Sequence, residues 1–122
     1  MIYGIMKLVK VTLKNLSNQI SEVVFEGRVK DDDRVISYKD RNGTLSYINF
    51  SQNDTLEIHR TAKDYSTKMI INREHPSLAI VNQQGTLDLP LKVSGLSIKE
   101  NRVYACYDTG EKIEIMISLV KE

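Results

Sequence analysis

The sequence predicts an all-β domain: a single closed antiparallel barrel of about ten strands, wound up and down. Three observations carry this. Apolar residues alternate with polar ones at period two in run after run, and no window of eleven residues shows the i, i+3, i+4, i+7 spacing of an amphipathic helix. Turn residues punctuate the runs at regular intervals, as in a sandwich or a barrel. Nearly every connection is short enough for a hairpin, which favours a meander, and closing a meander removes its exposed edges.

In chain order the strands are expected at 5–15, 19–31, 33–39, 44–50, 54–61, 66–72, 77–83, 86–94, 96–100, 101–108 and 111–120, with one or two of these continuous. The first is set by Val9, Val11 and Leu13 alternating with Lys10, Thr12 and Lys14. Asn42-Gly43, between Tyr38 and the run Thr44-Leu45-Ser46-Tyr47, predicts a hairpin, because Asn-Gly accepts positive φ at both central positions. Ser51-Gln52-Asn53-Asp54 and Asn72-Arg73-Glu74-His75-Pro76 are polar breaks, and Gln84-Gly85 and Thr109-Gly110 each separate two strands. Leu87, Leu89, Leu91 and Val93 alternate with Asp88, Pro90 and Lys92. Pro90 cannot donate to a ladder, so it predicts an edge position or a bulge there. Ile113, Ile115, Ile117 and Leu119 alternate with Glu114, Met116 and Ser118 to form the last strand.

A chain of 122 residues makes one domain over 1–122, burying roughly two-thirds of the surface it exposes when unfolded, without disulfides or metal. Its 41% hydrophobic and 27% charged residues are ordinary globular usage. The net charge of +1 is evenly spread: nine Lys/Arg against eight Asp/Glu in residues 1–61, eight against eight in residues 62–122. No basic half or acidic tail announces nucleic acid or a membrane surface. The segment from His59 to His75 sets Arg60, Lys63, Lys68 and Arg73 against Asp64 and Glu74, too small a basic footprint for a nucleic-acid binder. Cys106 is the single cysteine, which precludes an internal disulfide and favours a reducing, cytoplasmic setting. The opening Met1-Ile2-Tyr3-Gly4-Ile5-Met6-Lys7 is too short and too soon charged for a signal peptide, and no apolar run approaches the ~18 residues of a membrane helix. Met6 offers an alternative start, which would make residues 1–5 a loose extension.

Catalytic signals are absent. The six glycines are scattered singly, so no phosphate-cradling loop is expected, and no serine stands in a nucleophile elbow. His59 and His75 are sixteen apart with Cys106 remote from both, which matches no zinc pattern. Asp31-Asp32-Asp33 lacks the alternating ligands and distal glutamate of a calcium loop and is expected to be a solvated turn. No cofactor, metal or catalytic residue is therefore expected.

The candidate binding residues come from strand phase. Arg60 keeps phase with the inward Leu56 and Ile58, and a charge among core positions needs a partner. It is either a structural arginine closing one barrel end against a carboxylate or carbonyls, or an anchor for an anionic group. Tyr107 keeps phase with Val103 and Ala105, and Tyr47 with Leu45; either fills the core or lines a pocket. Arg102 and Tyr104 share one face of a late strand and together could grip a carboxylate.

Several segments taken together resemble a family of small bacterial proteins, the YwiB-like family, grouped with the calycin-type barrels. They are Phe25-Glu26-Gly27, Ile36-Ser37-Tyr38-Lys39-Asp40, Leu56-Glu57-Ile58-His59-Arg60, Gln84-Gly85-Thr86-Leu87-Asp88-Leu89, Leu96-Ser97-Ile98 and Ala105-Cys106-Tyr107-Asp108, over about residues 20–120. The chain departs from the family pattern at Ala62, where a glycine is usual, and at Asn82 and Gln84, where a threonine and an aromatic residue are. It also lacks a threonine near Val93. The resemblance implies a lipocalin-like barrel of roughly ten strands and assigns no activity. The expected function is non-enzymatic: a cytoplasmic barrel holding a small amphipathic or anionic ligand, with monomer and homodimer both open. The competing expectation is a filled barrel that meets a protein partner through its surface.

Overall fold

The computed structural model describes residues 6–30, 34–40 and 42–121; Asp31-Asp32-Asp33 and the segment before Met6 lie outside the described residues. Eleven strands follow one another: β1 (Met6–Asn15), β2 (Ile20–Lys30), β3 (Val35–Lys39), β4 (Leu45–Gln52), β5 (Thr55–Thr61), β6 (Tyr65–Asn72), β7 (Ser77–Asn82), β8 (Gly85–Leu89), β9 (Lys92–Ile98), β10 (Arg102–Asp108) and β11 (Lys112–Lys121). They form two antiparallel sheets, one ordered β2-β1-β11-β10-β9 and one ordered β3-β4-β5-β6-β7-β8. The expected meander is there, and β1 pairs with β11 to bring the ends of the chain together. Among the described residues, however, no ladder joins β2 to β3 or β8 to β9, so the hydrogen bonds describe two sheets rather than one closed barrel.

The two seams have identifiable causes. The expected continuous strand over 86–94 divides at Pro90-Leu91 into β8 and β9, each the edge strand of a different sheet. Proline has no N–H for a ladder, so it sits where the chain leaves one sheet for the other. At the other seam, the β1–β2 register slips between Val11 and Thr12: Val11 faces Phe25 and Thr12 faces Val23, leaving Val24 as the extra residue of a bulge. The Phe25 ring reaches across and stacks on Tyr38 of β3, with centroids 4.3 Å apart and planes 19° apart. Gly27 lets the ring lie there, because a Cβ at that position would stand 3.1 Å from Phe25 Cζ. An aromatic stack thus covers this seam.

The core lies between the sheets. Val9, Val11, Ile36, Ile48, Phe50, Leu56, Ile71, Val103 and Ile117 are essentially inaccessible. The alternation read from the sequence holds in β1, β5 and β11 and fails in part at β8, where Leu87 is 59% exposed. As part of an edge strand hydrogen-bonded only to β7, it has no strand beyond it to supply cover. The β3–β4 turn also differs in detail from a two-residue Asn-Gly hairpin. Gly43 carries positive φ (83°). Gly43 N–H donates to Asp40 O at 3.0 Å, and Asp40 N–H donates to Thr44 O at 3.0 Å.

Candidate functional site

Cross-strand register places the candidate residues in rows. On the inner face of the six-stranded sheet, Ile36, Ile48, Ile58, Met69, Leu78 and Leu89 stand side by side across all six strands. Every member of this row is apolar. The row two residues nearer the β3–β4 and β5–β6 turns reads Tyr38, Ser46, Arg60, Thr67, Ile80 and Leu87. Its first four members are polar. Period-two alternation therefore builds a wall that is greasy in its middle and hydrogen-bonding along its rim.

Behind this rim the sheets enclose a half-open cavity of about 410 Å³. Val11, Leu13, Val24, Ile58, Met69 and Ile115 give it an apolar body, while Arg60, Asp40, Tyr38, Tyr107, Thr67 and Thr109 bring polar atoms to it. A few polar groups set in an apolar wall are the usual composition of a small-molecule pocket, and the volume falls in the usual range.

The electrostatics of the rim centre on Arg60 and Asp40. Arg60 Nη2 donates to Asp40 Oδ2 at 3.3 Å. The other carboxylate oxygen, Oδ1, accepts the backbone N–H of Asn42 at 2.9 Å and of Thr44 at 3.0 Å. The turn holds Asp40 in place, and its side chain is 7% exposed. The Arg60 side chain is 48% exposed, and one long hydrogen bond leaves most of its five donors to other uses. Tyr107 projects from β10 into the same cavity and is 8% exposed. Burial pushes its phenol up to about 12, with Arg60 pulling the other way, so the hydroxyl stays protonated. That hydroxyl has no hydrogen-bond partner among the described residues. Tyr38 is likewise raised, chiefly by burial and against a hydrogen bond with Ser46.

Of the five residues singled out from sequence, the fold brings Arg60 and Tyr107 to the cavity and leaves Tyr47, Arg102 and Tyr104 outside it. Tyr47 shares its phase with Leu45, but that phase points outward; the inner residues of β4 are Ser46, Ile48 and Phe50. Tyr47 instead meets His59 edge-on at 5.4 Å, and His59 Nε2 lies 2.5 Å from Glu57 Oε1. Arg102 and Tyr104 occupy the outer face of the five-stranded sheet beside a shallow groove of about 230 Å³. The Tyr104 hydroxyl donates to Glu114 Oε2 at 2.5 Å, and this bond raises the phenol to about 12. The Tyr104 ring covers Gly95, where a Cβ would come within 3.2 Å of it. The phase that buries Val103, Ala105 and Tyr107 sets both side chains on the opposite face, away from the cavity.

Sequence reasoning missed Tyr38, Asp40, Ser46 and Thr67. Tyr38 was within reach, being in phase with Ile36. Asp40 was too, since an aspartate just ahead of Asn-Gly commonly accepts from the turn's own amides. Ser46 and Thr67 become rim residues only through the register. Among the described residues, no three His, Cys, Asp or Glu side chains gather as metal ligands, and no helix is long and apolar enough to cross a membrane.

No family model matches the chain, and no curated protein matches it. Among solved structures the chain is similar to the crystal structure of the ywiB protein from Bacillus subtilis, at 14% sequence identity and a TM-score of 0.42, over 97% of this chain and 91% of that chain.

Proposed function

We propose that this protein is a non-enzymatic binding module that holds a small amphipathic ligand between its two sheets. The observation that carries the reading is the cavity of about 410 Å³, with an apolar body and a polar rim around Arg60. At about 30 Å³ for each water-sized group, it accommodates on the order of a dozen non-hydrogen atoms. Exposed apolar side chains on the cavity-facing side, Tyr65 and Leu87, extend the greasy surface to the opening. The cavity supports this reading over a surface-interaction module, which rests on a filled interior.

The reading takes the two sheets as halves of one flattened calycin-type barrel of the YwiB-like kind, with side chains rather than ladders closing the seams. In support, two segments of that resemblance meet at one seam, where Phe25 stacks on Tyr38. It places the protein in the cytoplasm, where the buried Cys106 thiol stays reduced.

Native against denaturing mass spectrometry of the purified protein tests the proposal. A discrete noncovalent adduct is expected, absent from Ile80→Trp, whose indole obstructs the cavity. A bare mass, together with no uptake of an apolar fluorescent probe that Ile80→Trp abolishes, overturns it.

A further inference from the structure

The rim carries information about the head group of the ligand, given that the cavity is a binding site. Tyr107 is buried and lines the cavity, and its hydroxyl is a donor with no hydrogen-bond partner among the described residues. A buried polar group left unpaired is costly, and such groups in folded proteins generally find a partner. Arg60 supplies the second donor: among the described residues its one hydrogen bond is to Asp40, which leaves other guanidinium N–H groups unused beside the opening. Both groups donate, so the head group accepts.

Asp40 narrows the choice further. Both of its oxygens are already engaged, Oδ1 by two turn amides and Oδ2 by Arg60, so it has little left for a cationic ligand. Its negative charge stands fixed next to Arg60 and balances it. A neutral acceptor would forgo the ion pair that Arg60 offers, and a dianion would bring its second charge against Asp40. A singly charged acceptor satisfies all three constraints.

We infer that the cavity selects a monocarboxylate with an apolar tail of about a dozen atoms, one carboxylate oxygen accepting from the Tyr107 hydroxyl and the other from an unused N–H of Arg60. The tail lies along the apolar row of Ile58, Met69 and Leu78.

Titration calorimetry with dodecanoate, dodecanol and dodecyl phosphate, below their micelle-forming concentrations, tests this. Dodecanoate is expected to bind at least about 10-fold tighter than either of the others, the scale of one hydrogen bond to a charged group. Tyr107→Phe and Arg60→Gln should each reduce that preference by about the same factor, with dodecanoate losing more affinity than dodecanol. Equal affinity for all three, abolished by Ile80→Trp, overturns the carboxylate assignment and leaves the cavity reading standing. Absence of binding by any of the three overturns both. Dodecanoate binding that Ile80→Trp leaves intact places the ligand elsewhere and likewise overturns the assignment.

Discussion

Two arginines stand at opposite ends of this molecule and do different work. Arg34, just before β3, lies at the end where the sheets close on each other. Its Nε donates to Phe50 O at 3.2 Å, its Nη2 donates to Lys99 O at 2.8 Å, and the guanidinium sits 4.9 Å from the Phe50 ring centroid. It ties the six-stranded sheet to the β9–β10 turn and lies against the fully buried Phe50. Arg60, at the other end, has one long bond to Asp40 and faces a cavity. The same side chain is a clamp where the core is filled and a free donor where it is not. Partner count and what lies beneath the guanidinium separate a structural arginine from a candidate binding one, and strand phase reveals neither.

The largest expected effect sets the packed end against the hollow one. Phe50→Ala should destabilise by about 3–5 kcal/mol, because a fully buried ring leaves a void its neighbours cannot fill. Ile80→Ala at the cavity should cost no more than about 1–2 kcal/mol, since its surroundings are already open. Urea unfolding of both variants checks this; equal losses would mean that the cavity end is as tightly packed as the other.

Next comes alkaline pH. Tyr107 is raised to about 12 in the fold, against about 10 when unfolded. A group whose folded pKa is raised contributes stability that is fully present below the unfolded value and is lost as pH rises through the folded one. Unfolding free energy should therefore fall between about pH 10 and 12, by up to about 2–3 kcal/mol from this residue. Tyr107→Phe should flatten that decline, and Tyr104→Phe should do so less, because its hydroxyl is solvated and its bond to Glu114 is screened. If Tyr107→Phe keeps the full decline, the interior phenol is not its source.

The smallest effect addresses the arginines themselves. Arg34→Ala removes two hydrogen bonds to carbonyls and a cation–π contact, for about 2 kcal/mol. Arg60→Ala should cost under about 1 kcal/mol, the range of an exposed ion pair. Matched thermal melts measure both, and a larger loss for Arg60→Ala would make it the clamp.

Much of this was legible from local pattern. β1, β5 and β11 announced their buried faces because each alternates cleanly and has a covered inner side. Arg60 and Tyr107 reach the cavity because each keeps phase with apolar neighbours that the fold turns inward. Tyr47 was misplaced because β4 reads Leu45-Ser46-Tyr47-Ile48: the more apolar pair at its start lies on the outer face, and a serine lies inside. The resolution lies in the register, which sets Ser46 directly opposite Tyr38 of the neighbouring strand. Arg34 escaped notice because it precedes its strand and reaches partners 16 and 65 residues away.

The sequence by itself determined that the chain is all-β, where its strands run and turn, and which side chains of most strands face inward. These follow from period-two patterning and turn chemistry, both of which act within a few residues. Only the tertiary structure decided that the strands divide into two sheets at Pro90-Leu91 and at the Phe25–Tyr38 stack. Only it decided that one end is filled under Arg34 while the other stays hollow beneath Arg60. Those outcomes depend on which side chains meet across 20 to 100 residues of chain, and on whether their volumes sum to the space between the sheets; alternation carries no record of either.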